Sequence, residues 1–183
     1  MTKIFNVSGA CRPEAHYMVD LTSRLETIRN MVDAGDYFII NRARQYGKTT
    51  LLRALTNYIK KDYTVVSLDF QTMSALSFES EESFVAAFAS EMRDAVVVFP
   101  ETLSDQLFGC AEKTAKVISL QALFRTIKKW CGLLEKPAVL MIDEVDSATN
   151  NQVFIDFLAQ LRASFLKRPE IPAFQSVILA GVY

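Results

Sequence analysis

The sequence predicts a three-layer α/β fold, a mainly parallel sheet with helices on both faces. Three observations predict it. Short apolar runs alternate with stripes of helical period along the chain. The first run, "YFII" at 37–40, leads into Gly47-Lys48-Thr49-Thr50 at the mouth of a helical stripe. Another, "AVLMI" at 138–142, ends in Asp143-Glu144.

Leu21, Leu25, Ile28, Met31 and Val32 form the first helical stripe, with Ser23 and Glu26 spaced as a capping box and Gly35 as the stop. The run at 37–40 reads as a buried strand. Leu51, Leu52, Leu55, Tyr58 and Ile59 then recur at helical spacing. The β-branched and aromatic "YTVVSLDF" at 63–70 predicts a second strand.

A helix is predicted over about 80–98, with Glu79, Glu81 and Glu82 near its start and Phe84, Phe88, Met92 and Val96 on one face. Residues 99–117 carry no clear period. Leu120, Phe124, Ile127, Trp130, Cys131 and Leu134 mark the next helix, closed by Pro137. The continuous apolar run at 138–142 suits a strand covered on both faces. Val153, Phe154, Phe157, Leu158, Leu161 and Phe165 give a helix ending before Pro169, and "SVILA" at 176–180 is a fourth strand.

A chain of 183 residues can bury a sizeable core as one domain. We divide it into an N-terminal segment and helix over 1–35 and a core over 36–183. A net charge of −1 gives no electrostatic case for nucleic acid or an anionic membrane. No run of 18 apolar residues and no leader pattern is present, so a cytoplasmic location is expected. Cys11, Cys110 and Cys131 are widely spaced, without a C-x-x-C pair, and His16 is the single histidine. Neither a zinc site nor a disulfide framework is expected.

Gly47-Lys48-Thr49 stands where a phosphate loop must stand, between an apolar strand and an amphipathic helix. Backbone N–H groups at a helix start bind phosphate oxygens. Gly47 would admit close backbone approach, Lys48 would reach the β/γ-phosphates, and Thr49 would offer its hydroxyl to Mg²⁺. The full pattern G-x-x-x-x-G-K-[ST] has Arg42 in place of its first glycine. Asp143 and Glu144, leaving the C-terminal edge of a buried strand, fit a Walker B pair. Asp143 would hold Mg²⁺ through its water shell, and Glu144 would orient and deprotonate the attacking water. Either motif alone could be an ordinary polar loop. Together and in this order they point to ATP-type nucleotide binding.

"HYMVD" at 16–20, "YFIINRARQYGKTTLLRAL" at 37–55, "VVSLDF" at 65–70, "VLMIDEVD" at 139–146 and "VILAGVY" at 177–183 resemble the AAA-ATPase-like proteins of bacteria and archaea. That resemblance implies a P-loop NTPase domain of the group with a catalytic glutamate after Walker B. Its phosphate loop commonly lacks the first glycine, which accommodates Arg42. It implies Gly47, Lys48, Thr49 and Thr50 as the phosphate loop, Lys48 and Glu144 as catalytic groups, and Thr49 and Asp143 as the Mg²⁺ site. Tyr17 becomes a base-contact candidate. Family members are usually longer and often carry a C-terminal nuclease-like domain of the PD-(D/E)XK type. The chain is therefore expected to be a fragment or a truncated product, without the fifth core strand, the helical lid or an assignable arginine finger. Arg162 and Arg168 are read as helix-surface residues.

The expected function is Mg²⁺-dependent ATP hydrolysis that drives or times a conformational change in a larger protein. The alternative is a nucleotide-binding switch with little or no turnover in this chain. A small-molecule kinase lacks an acceptor-binding segment, and direct nuclease activity lacks a D-x-E-x-K constellation. The partners expected are a nucleotide and a downstream nuclease-like domain or partner protein, with no membrane.

Overall fold

The computed structural model describes residues 4, 15–17, 19–41, 43, 46–96, 109–112 and 118–181. Among these, four strands form one parallel sheet: β1 (Tyr37–Asn41), β2 (Thr64–Asp69), β3 (Ala138–Asp143) and β4 (Ser176–Gly181). Their spatial order is β1-β4-β3-β2. Parallel neighbours need crossovers, and helices supply them. On one face lie α1 (Thr22–Asp33) and α2 (Lys48–Ile59). On the other lie α3 (Glu81–Ala95), α4 (Leu120–Leu133) and α5 (Gln152–Leu166).

Side chains of a strand alternate between faces, so each central strand feeds two cores. Val139 and Met141 of β3 pack with Ile28, Val32, Leu51, Leu55 and Ile59 from α1 and α2. Leu140 and Ile142 pack with the opposite helices. All six residues of β3 and all six of β4 are buried, which explains their unbroken apolar runs. β1 is an edge strand: Phe38 and Ile40 pack on the α1/α2 side, whereas Ile39 is 57% exposed. The larger core is aromatic. Phe70 sits at its centre, with ring centroids of Phe78, Phe84, Phe88 and Phe154 within 5.5–6.5 Å, all edge-on.

Helix starts follow local chemistry. Ser80 accepts from Ser83 N (3.1 Å) and Ser119 from Ala122 N (3.2 Å), capping α3 and α4. Glu81, in the first turn of α3, reaches across to accept the Leu120 N–H (2.7 Å), so one carboxylate ties two helices together. The capping box expected at Ser23 does not form. Asp20 accepts both the Thr22 N–H (2.9 Å) and its hydroxyl (2.6 Å), and α1 starts at Thr22, which places Ser23 inside the helix. Gly35 does stop α1, at φ 72°. Tyr58, read from its spacing as an apolar-face residue, is instead 37% exposed under the Arg29 guanidinium (5.9 Å). The helix predicted over 80–98 ends at Ala95. Three short 3₁₀ turns, Phe70–Thr72, Ala75–Phe78 and Val145–Ala148, had no expectation in the sequence.

Candidate functional site

β1 hands the chain to the glycine-led loop, and β3 delivers two carboxylates to the same edge of the sheet. Gly47 occupies the left-handed region (φ 74°, ψ 28°), a conformation that glycine adopts without a Cβ penalty. A Cβ built there would meet nothing within 4 Å, so it is backbone shape and not crowding that favours glycine. No side chain caps α2, and its first turn carries no acid to oppose an anion.

Lys48 opens α2 yet is only 5% exposed. Its Nζ lies 3.2 Å from Glu144 Oε1, an ion pair. The angles of that contact do not make a hydrogen bond, and the buried Nζ has no hydrogen-bond partner among the described residues. A buried ammonium with unsatisfied N–H groups is costly and marks a place built for anionic oxygens. Thr49 Oγ1 donates to Asp143 Oδ2 at 2.9 Å. Asp143 Oδ1 accepts the Glu144 N–H at 3.0 Å. Burial pushes the Asp143 carboxyl above its ordinary value, opposed by the Thr49 and Glu144 hydrogen bonds.

Glu144 is the one non-glycine residue with positive φ among the described residues (φ 55°, ψ 39°). Its backbone is held on both sides. The N–H donates to Asp143, and the carbonyl accepts from Ser147 N (3.1 Å) and Ser147 Oγ (2.8 Å). Such a conformation costs on the order of 1–3 kcal/mol and persists where neighbours over-determine it. Gly181, closing β4, lies against the turn after Glu144: a Cβ there would come within 3.0 Å of Asp146 Oδ1 and 3.1 Å of Val145 Cγ2. Sequence reasoning missed Ser147 and Gly181. The one visible signal was a glycine directly ending an apolar strand.

Of the residues singled out from sequence, the structure brings Lys48, Thr49, Asp143 and Glu144 together. Gly47 precedes them in the loop, and Thr50 lies in the same helical turn. Tyr17 is 54% exposed, in a segment where Ile4 bridges to His16 and the Tyr17 N–H donates to Ile4 O (3.0 Å). Arg42 and Cys11 lie outside the described residues. Arg162 stacks 5.0 Å over Tyr37, at the far end of β1 from the loop. Arg168 lies 3.9 Å over Phe165 and donates to Gly35 O (2.7 Å). Both arginines are packing residues. No cluster of three metal-ligating side chains occurs among the described residues. No helix there is long and apolar enough to cross a membrane.

A sheet in which one strand, β4, separates the strand before the glycine loop from the acid-bearing strand is the core of a P-loop ATPase. The chain belongs to the AAA-like domain family, which matches residues 9–183. Among curated proteins no sequence matches it significantly. Its fold is similar to that of the Walker-type ATPase PABY2304 of Pyrococcus abyssi (14% identity, TM-score 0.59), covering 96% of this chain and 48% of that one. A chain in the structure of Drosophila ORC bound to DNA aligns at 15% identity and TM-score 0.49, covering 88% of this chain and 75% of that one. The present chain thus spans about half the length of the archaeal ATPase. Its family and fold are those of a nucleotide-binding ATPase module.

Proposed function

We propose that this domain binds ATP with Mg²⁺ and hydrolyses it, and that the cycle drives or times a conformational change in a larger protein. The observation that carries the proposal is the buried Lys48 ammonium, which has no hydrogen-bond acceptor among the described residues yet stands beside Thr49, Asp143 and Glu144. Polyphosphate oxygens would satisfy it, with the N–H groups of the α2 start alongside. Gly47, Lys48, Thr49 and Thr50 would cradle the phosphates. Mg²⁺ would be held by the Thr49 hydroxyl and Asp143, whose hydrogen-bonded oxygens suit a hard cation. Bound there, it would neutralise charge on the β- and γ-phosphates. Glu144 would orient and deprotonate the attacking water. Tyr17 is proposed to contact the base.

Calorimetric titration of Mg-ATP into the wild-type chain and Lys48→Ala tests the reading. Binding by the wild type and its loss in Lys48→Ala supports it; unchanged affinity in the variant rejects the phosphate loop. A slow nucleotide switch is the second reading, favoured by the engagement of the Glu144 carboxylate with Lys48. Turnover measured on the titrated sample separates the two, because tight binding with background hydrolysis selects the switch.

A further inference from the structure

α4 carries Arg125, Lys128 and Lys129 and no acid at all. All three cations are exposed, and Arg125 stands three and four residues before the two lysines, so like charges meet on one face. None of them makes an ion pair among the described residues, where the paired cations are Arg29, Lys48 and Arg93. Nor do they serve the helix dipole, because the last turn of α4 holds no basic residue. Four residues beyond Lys129, on the same stripe, Leu133 is 59% exposed. It lines a groove of about 500 Å³ with Leu134, Val65 and Val96, where Lys60 and Lys136 outnumber Glu135. The groove lies at the start of β2, the end strand of the sheet, whose outer edge pairs with no strand among the described residues. Such an edge offers main-chain donors and acceptors to an added strand. Lys48, Thr49, Asp143 and Glu144 gather at the other end of the strands.

We propose that this corner docks an extended, acidic segment of a partner protein. Its backbone pairs with the free edge of β2, alternate apolar side chains enter the groove, and its carboxylates meet the cations of α4 with Lys60 and Lys136. Charge complementarity selects an acidic partner. The apolar groove selects a polypeptide, since a phosphate backbone gains nothing from Val65, Val96 and Leu133. The surface does not depend on the nucleotide site and goes beyond the function proposed above.

The test is a fluorescence-anisotropy titration with a short labelled peptide of alternating Glu and Val, its ends capped. The proteins are the wild type, Arg125→Glu with Lys129→Glu, Leu133→Ser and Arg53→Glu. Arg53 is an exposed cation of α2, on the opposite face of the sheet, and controls for general charge. The charge-reversed double variant is expected to bind about 10-fold weaker or more, Leu133→Ser about fivefold weaker, and Arg53→Glu within about twofold of wild type. The altered side chains are exposed, and a thermal melt of each variant confirms that the fold is kept. No binding of the peptide by the wild type overturns the proposal. So does an equal loss in Arg53→Glu, or undiminished binding by Leu133→Ser. A short DNA duplex is titrated alongside; tighter binding of the duplex than of the peptide, lost in the charge-reversed variant and kept in Leu133→Ser, would make the surface one for nucleic acid and likewise overturn the proposal.

Discussion

The Thr49 hydroxyl donates to Asp143 Oδ2 across 2.9 Å, joining two residues 94 positions apart. One belongs to the first turn of α2 and the other ends β3, so the bond spans the gap between the glycine loop and the acid-bearing strand. Both groups offer oxygen atoms suited to Mg²⁺, and each is the other's hydrogen-bond partner. Thr49→Ala should leave nucleotide binding in EDTA nearly unchanged and lower the Mg²⁺-dependent gain in affinity by roughly 10-fold or more. Thr49→Ser should retain it. Titrations with and without Mg²⁺ measure the difference, and equal Mg²⁺ gains in Thr49→Ala and wild type would remove Thr49 from the metal site.

Phe70 couples β2 to three helical elements through edge-on contacts with Phe78, Phe84, Phe88 and Phe154, and it is 1% exposed. Phe70→Ala opens a cavity among rigid rings that cannot collapse into it. The expected loss is about 3–5 kcal/mol of unfolding free energy, read from the urea midpoint at constant m-value. A loss below about 1 kcal/mol would show that the aromatic cluster repacks.

Tyr63 follows the turn after α2 and donates its hydroxyl to Asp33 Oδ1 at 2.6 Å, while Arg29 pairs with Asp62 at 2.7 Å. Together these bonds fasten α1 to the start of β2. Burial and the Asp33 bond raise the Tyr63 phenol to about 12. A raised value means the protonated form is favoured by folding. Its contribution is therefore full below the ordinary value near 10 and is lost as pH rises from 10 towards about 12. Tyr63→Phe should cost about 0.5–1 kcal/mol at neutral pH and should weaken the alkaline fall in stability over that window. Thermal melts of both proteins at pH 7 and through the alkaline range check the sign.

How far the sequence shows the fold depends on how many faces an element buries. β3 and β4 are covered on both sides, and their apolar runs place them within a residue. The paired motifs likewise indicate that Lys48, Thr49, Asp143 and Glu144 should meet. What the sequence does not carry is the state of those groups. The Lys48–Glu144 pair arises from two backbone positions nearly a hundred residues apart, and the left-handed Glu144 depends on Asp143 and Ser147 holding it. The Ser23 capping box failed for a local reason: Asp20 and Thr22 offer the chain an equally good start. Arg162 and Arg168 have the right charge for a site, but their aromatic partners hold them at the wrong end of β1.

Gly181 has a normal strand role and an abnormal neighbour. A methyl group there would stand 3.0 Å from Asp146 Oδ1 and 3.1 Å from Val145 Cγ2, inside the turn that follows Glu144. Relief requires the Asp146 and Val145 side chains to give by a few tenths of an ångström, and both belong to the turn that Glu144 begins. Glu144 is the residue proposed to activate water, and sub-ångström misplacement of such a group costs rate more than binding, so on that proposal Gly181→Ala should lower turnover roughly 10-fold while ADP affinity changes little. Gly132→Ala is the control for added bulk, since its Cβ would meet only Pro172 at 3.4 Å near the end of α4. That change should leave turnover intact and stabilise the helix by up to about 0.5–1 kcal/mol. Steady-state kinetics and thermal melts on the two variants decide the matter. Equal turnover in Gly181→Ala and wild type would mean that Glu144 is placed independently of the close contact between β4 and its turn.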